Sequence, residues 1–286
     1  MATVVLVLNP GQPRAVELAR DAADWLAASG HSVRVPDEDA TAAGLAEYGR
    51  PNDDIASGAD LAVSLGGDGT ILRTVGLVAD DEVPVLGVNV GRLGYLAHVE
   101  PHELIGALGR VVAGDFAVEE RLLLCVRINP APGSGPEPMS LLALNEAVVE
   151  KASAGQVVHV AVSVTGEAFT TYAADGLIVA TSTGSTAYAF SARGPIIDPT
   201  HRALLLTPVS PHMAFDRSLV FDPSQSLCLE VLDRPAQLIV DGRELGPLAP
   251  GSAVDCRAAS QVARFVALEP SDFYGVLKAK FGLADR

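Results

Sequence analysis

Along the first hundred residues, short continuous apolar runs alternate with stretches whose apolar side chains recur every three or four positions. Residues 3–8, 31–35, 59–65 and 83–89 are runs of the first kind and predict strands. Residues 14–28, 70–79 and 101–112 carry the second pattern and predict helices. In 70–79 the side chains Ile71, Leu72, Val75 and Val78 share one face, and Pro101 opens the last helix where a proline costs no hydrogen bond. Strands and helices alternating in this way predict a parallel sheet covered by helices on both faces.

After about residue 115 the helical period disappears. Short β-rich runs follow at 122–128, 140–149, 157–164, 168–172, 176–180, 204–208, 227–232, 237–240, 253–257 and 263–268, separated by Gly, Pro, Asn and Asp. The segment 130–138 (PAPGSGPEP) is too rich in Pro and Gly to pack and predicts a mobile hairpin loop. Residues 271–281 return to a helical pattern. The expected fold is α/β plus all-β. A parallel-sheet α/β domain spans 1–115, a β-rich, β-sandwich-like domain spans 116–268, and 269–286 returns to the first domain.

Composition narrows the partners. The 286 residues carry a formal charge of −15 and only three lysines, Lys151, Lys278 and Lys280. So acidic a chain without a basic patch repels nucleic acid and anionic membranes. The apolar N-terminus lacks a basic leader and breaks at Pro10, so it reads as a strand and not as a signal peptide. Cys125, Cys228 and Cys256 have neither metal-ligand nor redox spacing and read as buried small hydrophobes in a reducing compartment, the cytoplasm. The six histidines form no zinc motif, and Ser182, Ser185 and Ser191 sit in no nucleophile elbow.

The sharpest local signal is Gly66-Gly67-Asp68-Gly69-Thr70, between a predicted strand and a predicted helix. Glycines let backbone approach a phosphate, and a helix N-terminus aims amide donors at it. Asp68 either caps the helix or serves chemistry, and the flanking glycines favour chemistry because a cap does not need them. Arg73 lies one turn further on and could reach the same phosphate, though on its own a solvated surface arginine is the slightly favoured reading. With no lysine before Lys151 and no Gly-x-Gly-x-x-Gly after a strand, neither a Walker loop nor a simple Rossmann site is present. The glycine-bearing segment 89–95 is either a ligand turn at a strand end or loop packing. Asn145-Glu146 interrupts an apolar strand, as a binding pair or as a bulge. Asp175 leads a strand into a hydroxyl-rich loop and a short helix around Gly184, more than one cap requires.

These elements together resemble the bacterial NAD kinases: Gly66–Thr70 with Arg73, Leu86–Leu96, Asn145-Glu146, Asp175-Gly176 and Thr183–Tyr188, in order over nearly the whole chain. The resemblance implies phosphoryl transfer from ATP, or another donor, to the adenosine ribose 2′-hydroxyl of NAD. It implies Mg²⁺ or another divalent cation with ATP, no protein-held metal, and assembly as a homo-oligomer. Asp68 would be the general base, with Gly67 and Gly69 at the phosphates and Arg73 beside them. Asn145 and Glu146 would hold ribose or adenine, Asp175 the nicotinamide end, and His159 a polar contact. Thr186, Ala187, Tyr188, Ala189, Phe190 and Ser191 would line the NAD pocket. Four positions depart from the family pattern: Ala173, Ser182, Arg193 and Arg243. A lipid kinase with the same glycine turn and a catalytically silent NAD(P) sensor are the rival readings.

Overall fold

The structure, a computed structural model, describes residues 1–283 apart from Arg92, Leu93, His98, Gly135, Pro136 and Ser271. It divides into two compact units, Met1–Glu120 with Ala263–Arg286, and Arg121–Val262.

The first unit runs β1 (Thr3–Leu8), α1 (Pro13–Ala28), β2 (Ser32–Pro36), α2 (Asp37–Ala43), β3 (Gly49–Arg50), β4 (Leu61–Gly66), α3 (Asp68–Val78), β5 (Val85–Asn89) and α4 (Leu104–Val112). The strands pair in parallel in the order β5-β4-β1-β2-β3. Strands β1, β4 and β5 are buried almost throughout, which is why their sequences are unbroken apolar runs. Helix α1 starts on Pro13 and buries Ala15, Leu18, Ala19, Ala22, Ala23 and Leu26, a stripe at helical spacing that lets it lie close on the sheet. Helix α2 has no apolar period, opens on three acidic residues, and escapes sequence reading.

The second unit begins within β6 (Ala117–Asn129), whose first residues belong to the first unit. It continues through β7 (Met139–Ala143), β8 (Glu146–Lys151), β9 (Val158–Val164), β10 (Glu167–Ala174) and β11 (Gly176–Thr181). After the short helix α5 (Tyr188–Ser191) come β12 (Leu204–Val209), β13 (Leu219–Phe221), β14 (Ser226–Val231), β15 (Ala236–Val240), β16 (Arg243–Leu248) and β17 (Ala253–Ala267), and the chain ends in α6 (Phe273–Phe281). Among the described residues one antiparallel sheet has the order β13-β12-β11-β8-β15-β16. A second has β10-β9-β14-β17 with the hairpin β6–β7. Val158, Val160 and Val162 of β9 alternate inward and meet Leu177, Val179, Leu204 and Leu206 of the other sheet in one core. Strands β11 and β12 are buried on their outer face as well, because Ala189 and Ile197 of the following segment cover Ile178, Ala180 and Leu205.

The structure corrects several expectations. The strand expected over 140–149 is two strands in different sheets, β7 and β8, broken at Leu144-Asn145. The runs 253–257 and 263–268 are one continuous strand, β17, and its Phe265 pairs with Val85 in the first unit. Strands β13 and β16 were not expected. The loop 130–138 joins the paired strands β6 and β7, with Gly135 and Pro136 outside the described residues.

Candidate functional site

In the first unit the glycine turn sits where β4 meets α3. Gly67 is the N-cap of α3 with no side-chain capping bond, and Asp68 is already the first helical residue. The capping reading of Asp68 therefore fails. Its carboxylate reaches instead to the segment after β5, where the Tyr95 N–H donates to Oδ2 at 3.0 Å and the Leu96 N–H to Oδ1 at 3.3 Å. Burial, and then the charge of Asp68, raise the Tyr95 hydroxyl above its ordinary pKa. Gly94 is required by this contact: a Cβ there would lie 2.0 Å from Asp68 Oδ1. The 89–95 segment thus follows Asp68 closely, with Arg92 and Leu93 outside the described residues.

The glycines of the turn separate into two kinds. A Cβ on Gly66 would meet Thr70 Oγ1 at 2.1 Å, so internal packing demands that glycine. Around Gly67 and Gly69 nothing lies within 4 Å of a Cβ, and neither has positive φ. Among the described residues nothing asks for glycine at these two positions. Both line an open cavity of about 420 Å³, with Asn9, Pro10, Gln12 and Arg73, at the carboxyl ends of β1 and β4. Carboxyl ends of parallel strands are where α/β sheets place ligands, and the first-turn amides of a helix have no intrahelical partner.

Arg73 is neither a free surface arginine nor an uncommitted cation. Its Nη1 donates to Asp39 Oδ1 at 2.9 Å, and Nη2 donates to Asp39 Oδ2 and, at 2.7 Å, to the Leu8 carbonyl. Asp39 is 1% exposed and also accepts the Leu8 N–H at 2.9 Å. The paired guanidinium compensates a buried carboxylate and fixes the wall of the cavity.

In the second unit the break between β7 and β8 is the centre of interest. Asp241, in the two-residue turn between β15 and β16, accepts three successive backbone N–H groups. Leu144 donates to Oδ2 at 2.7 Å, and Asn145 and Glu146 donate to Oδ1 at 2.8 and 3.1 Å. The carbonyls of the same three residues are taken as well. Leu144 accepts from Thr181 Oγ1 at 2.5 Å, Asn145 from the Thr181 N–H at 2.9 Å, and Glu146 from the Asp241 N–H at 3.0 Å. Gly184 rests on this turn so closely that a Cβ would lie 2.2 Å from the Asn145 carbonyl oxygen. Every backbone polar group being spent, the polar atoms left over are the side chains of Asn145 and Glu146. Glu146 is buried, and its Oε2 has no partner among the described residues. Burial, and then Asp241, push its carboxyl from 4.5 to about 8, against the pull of the Tyr188 backbone N–H. Burial also raises Asp241, though its three amides hold it down.

The other expected residues fall into two groups. Asp175 sits between β10 and β11 and pairs with Lys151 at 2.6 Å. Burial raises the Tyr188 hydroxyl, and the nearby charges of Glu150 and Asp175 add to the rise, so Tyr188, Asp175 and Glu146 share a neighbourhood. Thr186 bonds the Thr183 carbonyl at 3.2 Å, Ala187 precedes α5, and Ala189 is core, while Ser191 is exposed. Phe190 accepts the Arg193 N–H through its carbonyl. His159 is on β9, in the other sheet, where it pairs with Asp233 at 2.8 Å and stands opposite Ala173. Sequence reading missed Asp241 and Asp39. For Asp241 a signal existed, the Asp-Gly hairpin pair between apolar runs. For Asp39 there was none.

Cys256 is buried, and burial lifts the Cys228 thiol to about 12 and raises the Cys256 thiol as well, which disfavours the reactive thiolate at both. Among the described residues no helix is long and apolar enough to cross a membrane.

Comparisons with known proteins address the chain as a whole. The ATP-NAD kinase N-terminal domain family matches residues 4–116, and the ATP-NAD kinase C-terminal domain family matches 144–268. The NAD kinase of Heliobacterium modesticaldum is 42% identical over 98% of both chains. NAD kinase 1 of Streptomyces avermitilis is 38% identical over 99% of this chain and 87% of its own. Yeast NADH kinase, solved with NADH, superposes with a TM-score of 0.92 at 23% identity, over 100% of this chain and 89% of that one. An NAD kinase from Archaeoglobus fulgidus, solved with ATP, gives 0.75 at 24% identity, over 99% and 100%. At such identities the two solved structures speak to the fold.

Proposed function

The chain belongs to the ATP-NAD kinase family and is a phosphotransferase acting on NAD, and on that premise we propose how its residues divide the reaction. Similarity over the full length sets the lipid-kinase alternative aside. The observation that carries the assignment of roles is the pair Gly67 and Gly69, glycines that none of the described residues requires, beside a carboxylate that does not cap its helix.

A triphosphate occupies the cavity edged by Gly67, Gly69 and Arg73, its charge met by the first-turn amides of α3. Among the described residues no three His, Cys, Asp or Glu side chains converge as a metal site. The Mg²⁺ expected with ATP enters with the triphosphate, and it neutralises phosphate charge in a chain short of lysine. A carboxylate offers about four lone-pair directions, of which Tyr95 and Leu96 take two. The remainder accept the proton of the ribose 2′-hydroxyl. The 2′-oxygen bonds to the γ-phosphorus, the bond from that phosphorus to the bridging oxygen breaks, and ADP leaves. Asn145 and Glu146 hold the adenosine moiety and Asp175 the nicotinamide end. Thr186, Ala187, Tyr188, Phe190 and Ser191 line the dinucleotide pocket over the buried Ala189, and His159 adds a polar contact. A homo-oligomer in the cytoplasm completes the proposal.

Asp68→Asn tests it. The variant keeps an acceptor for one of the two amides, so the fold survives. Turnover of NAD with ATP and Mg²⁺ should fall about 10²–10⁴-fold, as for loss of a general base. Near-native kcat would leave Asp68 as no more than a tie to the 94–96 turn.

A further inference from the structure

The turn that carries Asn145 and Glu146 does not shape itself. It lies where the chain leaves one sheet for the other, and three successive amides there point the same way, an arrangement that repels itself unless an anion sits at the focus. Asp241 is that anion, and it comes from a hairpin 95 to 97 residues away in sequence. We propose that Asp241 is a positioning residue for the dinucleotide, its carboxylate gathering the amides of Leu144, Asn145 and Glu146 so that the two polar side chains are aimed at the ligand. The inference rests on the reading that Asn145 and Glu146 bind NAD.

The choice of residue supports the role. Asp241 and Gly242 both have positive φ, 47° and 75°, between the paired residues Val240 and Arg243. This is the two-residue hairpin turn in which Asn-Gly serves as well as Asp-Gly. Turn chemistry alone therefore does not select aspartate. The acceptor requirement does: ionised aspartate offers two oxygens and no donor, whereas asparagine would turn an NH₂ group toward one of the amides. Here Oδ2 serves Leu144 and Oδ1 serves both Asn145 and Glu146, so no orientation of an asparagine amide satisfies all three.

Asp241→Asn is accordingly a clean probe, since it preserves the hairpin and removes one acceptor. The KM for NAD should rise about tenfold, the size expected for losing one charge-assisted hydrogen bond. The KM for ATP and kcat should stay near wild type, while the melting temperature falls only by the modest amount expected for one unpaired buried amide. If Asp241→Asn does not accumulate folded, Asp241→Glu, which keeps both oxygens one methylene further out, should show the same split. An unchanged KM for NAD overturns the proposal. So does a joint loss of stability, kcat and affinity for both substrates, the mark of a purely structural tie. Asn145→Ala run in parallel separates the two levels. If it raises the KM for NAD and the Asp241 variants do not, the positioning role alone fails. If it leaves the KM unchanged, the reading of the turn itself fails and the proposal falls with it.

Discussion

Replacing Arg193 by glycine should stabilise this protein, and the size of the gain follows from its backbone. Helix α5 ends at Ser191 with Ala192 as its C-cap, and the chain closes it with two bonds. The Arg193 N–H donates to the Phe190 carbonyl at 2.9 Å, and the Gly194 N–H to the Ala189 carbonyl at 2.8 Å. That pair is the Schellman closure, which wants a left-handed residue at the first position past the cap. Arg193 occupies it with φ +66° and an exposed side chain. The glycine instead stands one place later, where a Cβ would lie 2.8 Å from the Ala189 oxygen. A side chain in the left-handed region costs about 1–2 kcal/mol. Glycine's greater freedom in the unfolded chain returns about 0.4–1 kcal/mol of that. The net gain for Arg193→Gly is thus about 0.5–1 kcal/mol, or roughly 1–4 °C in Tm for a unit of this size. Scanning calorimetry and urea titration would read it. Arg193→Ala is the control, because it removes the charge and keeps the Cβ, and it should show no gain. If Arg193→Gly is no more stable than wild type, or if the alanine variant matches it, backbone strain is not what Arg193 contributes.

Two further outcomes are expected. Glu146 has its folded carboxyl near 8 and its unfolded one near 4.5, so between those values the native state holds a proton that the unfolded state has released. Stability tied to Glu146 is present below pH 4.5 and is lost as pH rises toward 8. Glu146→Gln should lack that slope and gain on the order of 4–5 kcal/mol on wild type between pH 4.5 and 8, measured by urea titration at both ends; parallel curves would deny the burial of a charge. The two kinds of glycine in the turn should also part company. Gly66→Ala should lower Tm sharply through its clash with Thr70, whereas Gly67→Ala should keep Tm and raise the KM for ATP. A Gly67→Ala enzyme with unchanged ATP kinetics would mean that no phosphate passes there.

What the chain declares locally, it declares well. Strands β1, β4 and β5 are legible because a strand covered on both faces must be apolar throughout, and β9 because a strand covered on one face must alternate. The Gly66–Thr70 turn is legible because its glycines and its helix start are neighbours in sequence. Helix α2 and strand β16 are not. One buries an aspartate, Asp39, that Arg73 and the Leu8 amide make tolerable, and the other closes the hairpin whose turn brings Asp241 to residues 144–146. The switch of sheets at Asn145 is equally hidden, since 140–149 reads as one apolar strand until Thr181 and Asp241 divide its hydrogen bonds. Composition and period record which side of an element faces the core. They do not record which distant carboxylate neutralises which amide or guanidinium, because buried charges are stable only in pairs and a pair's second member can lie anywhere along the chain.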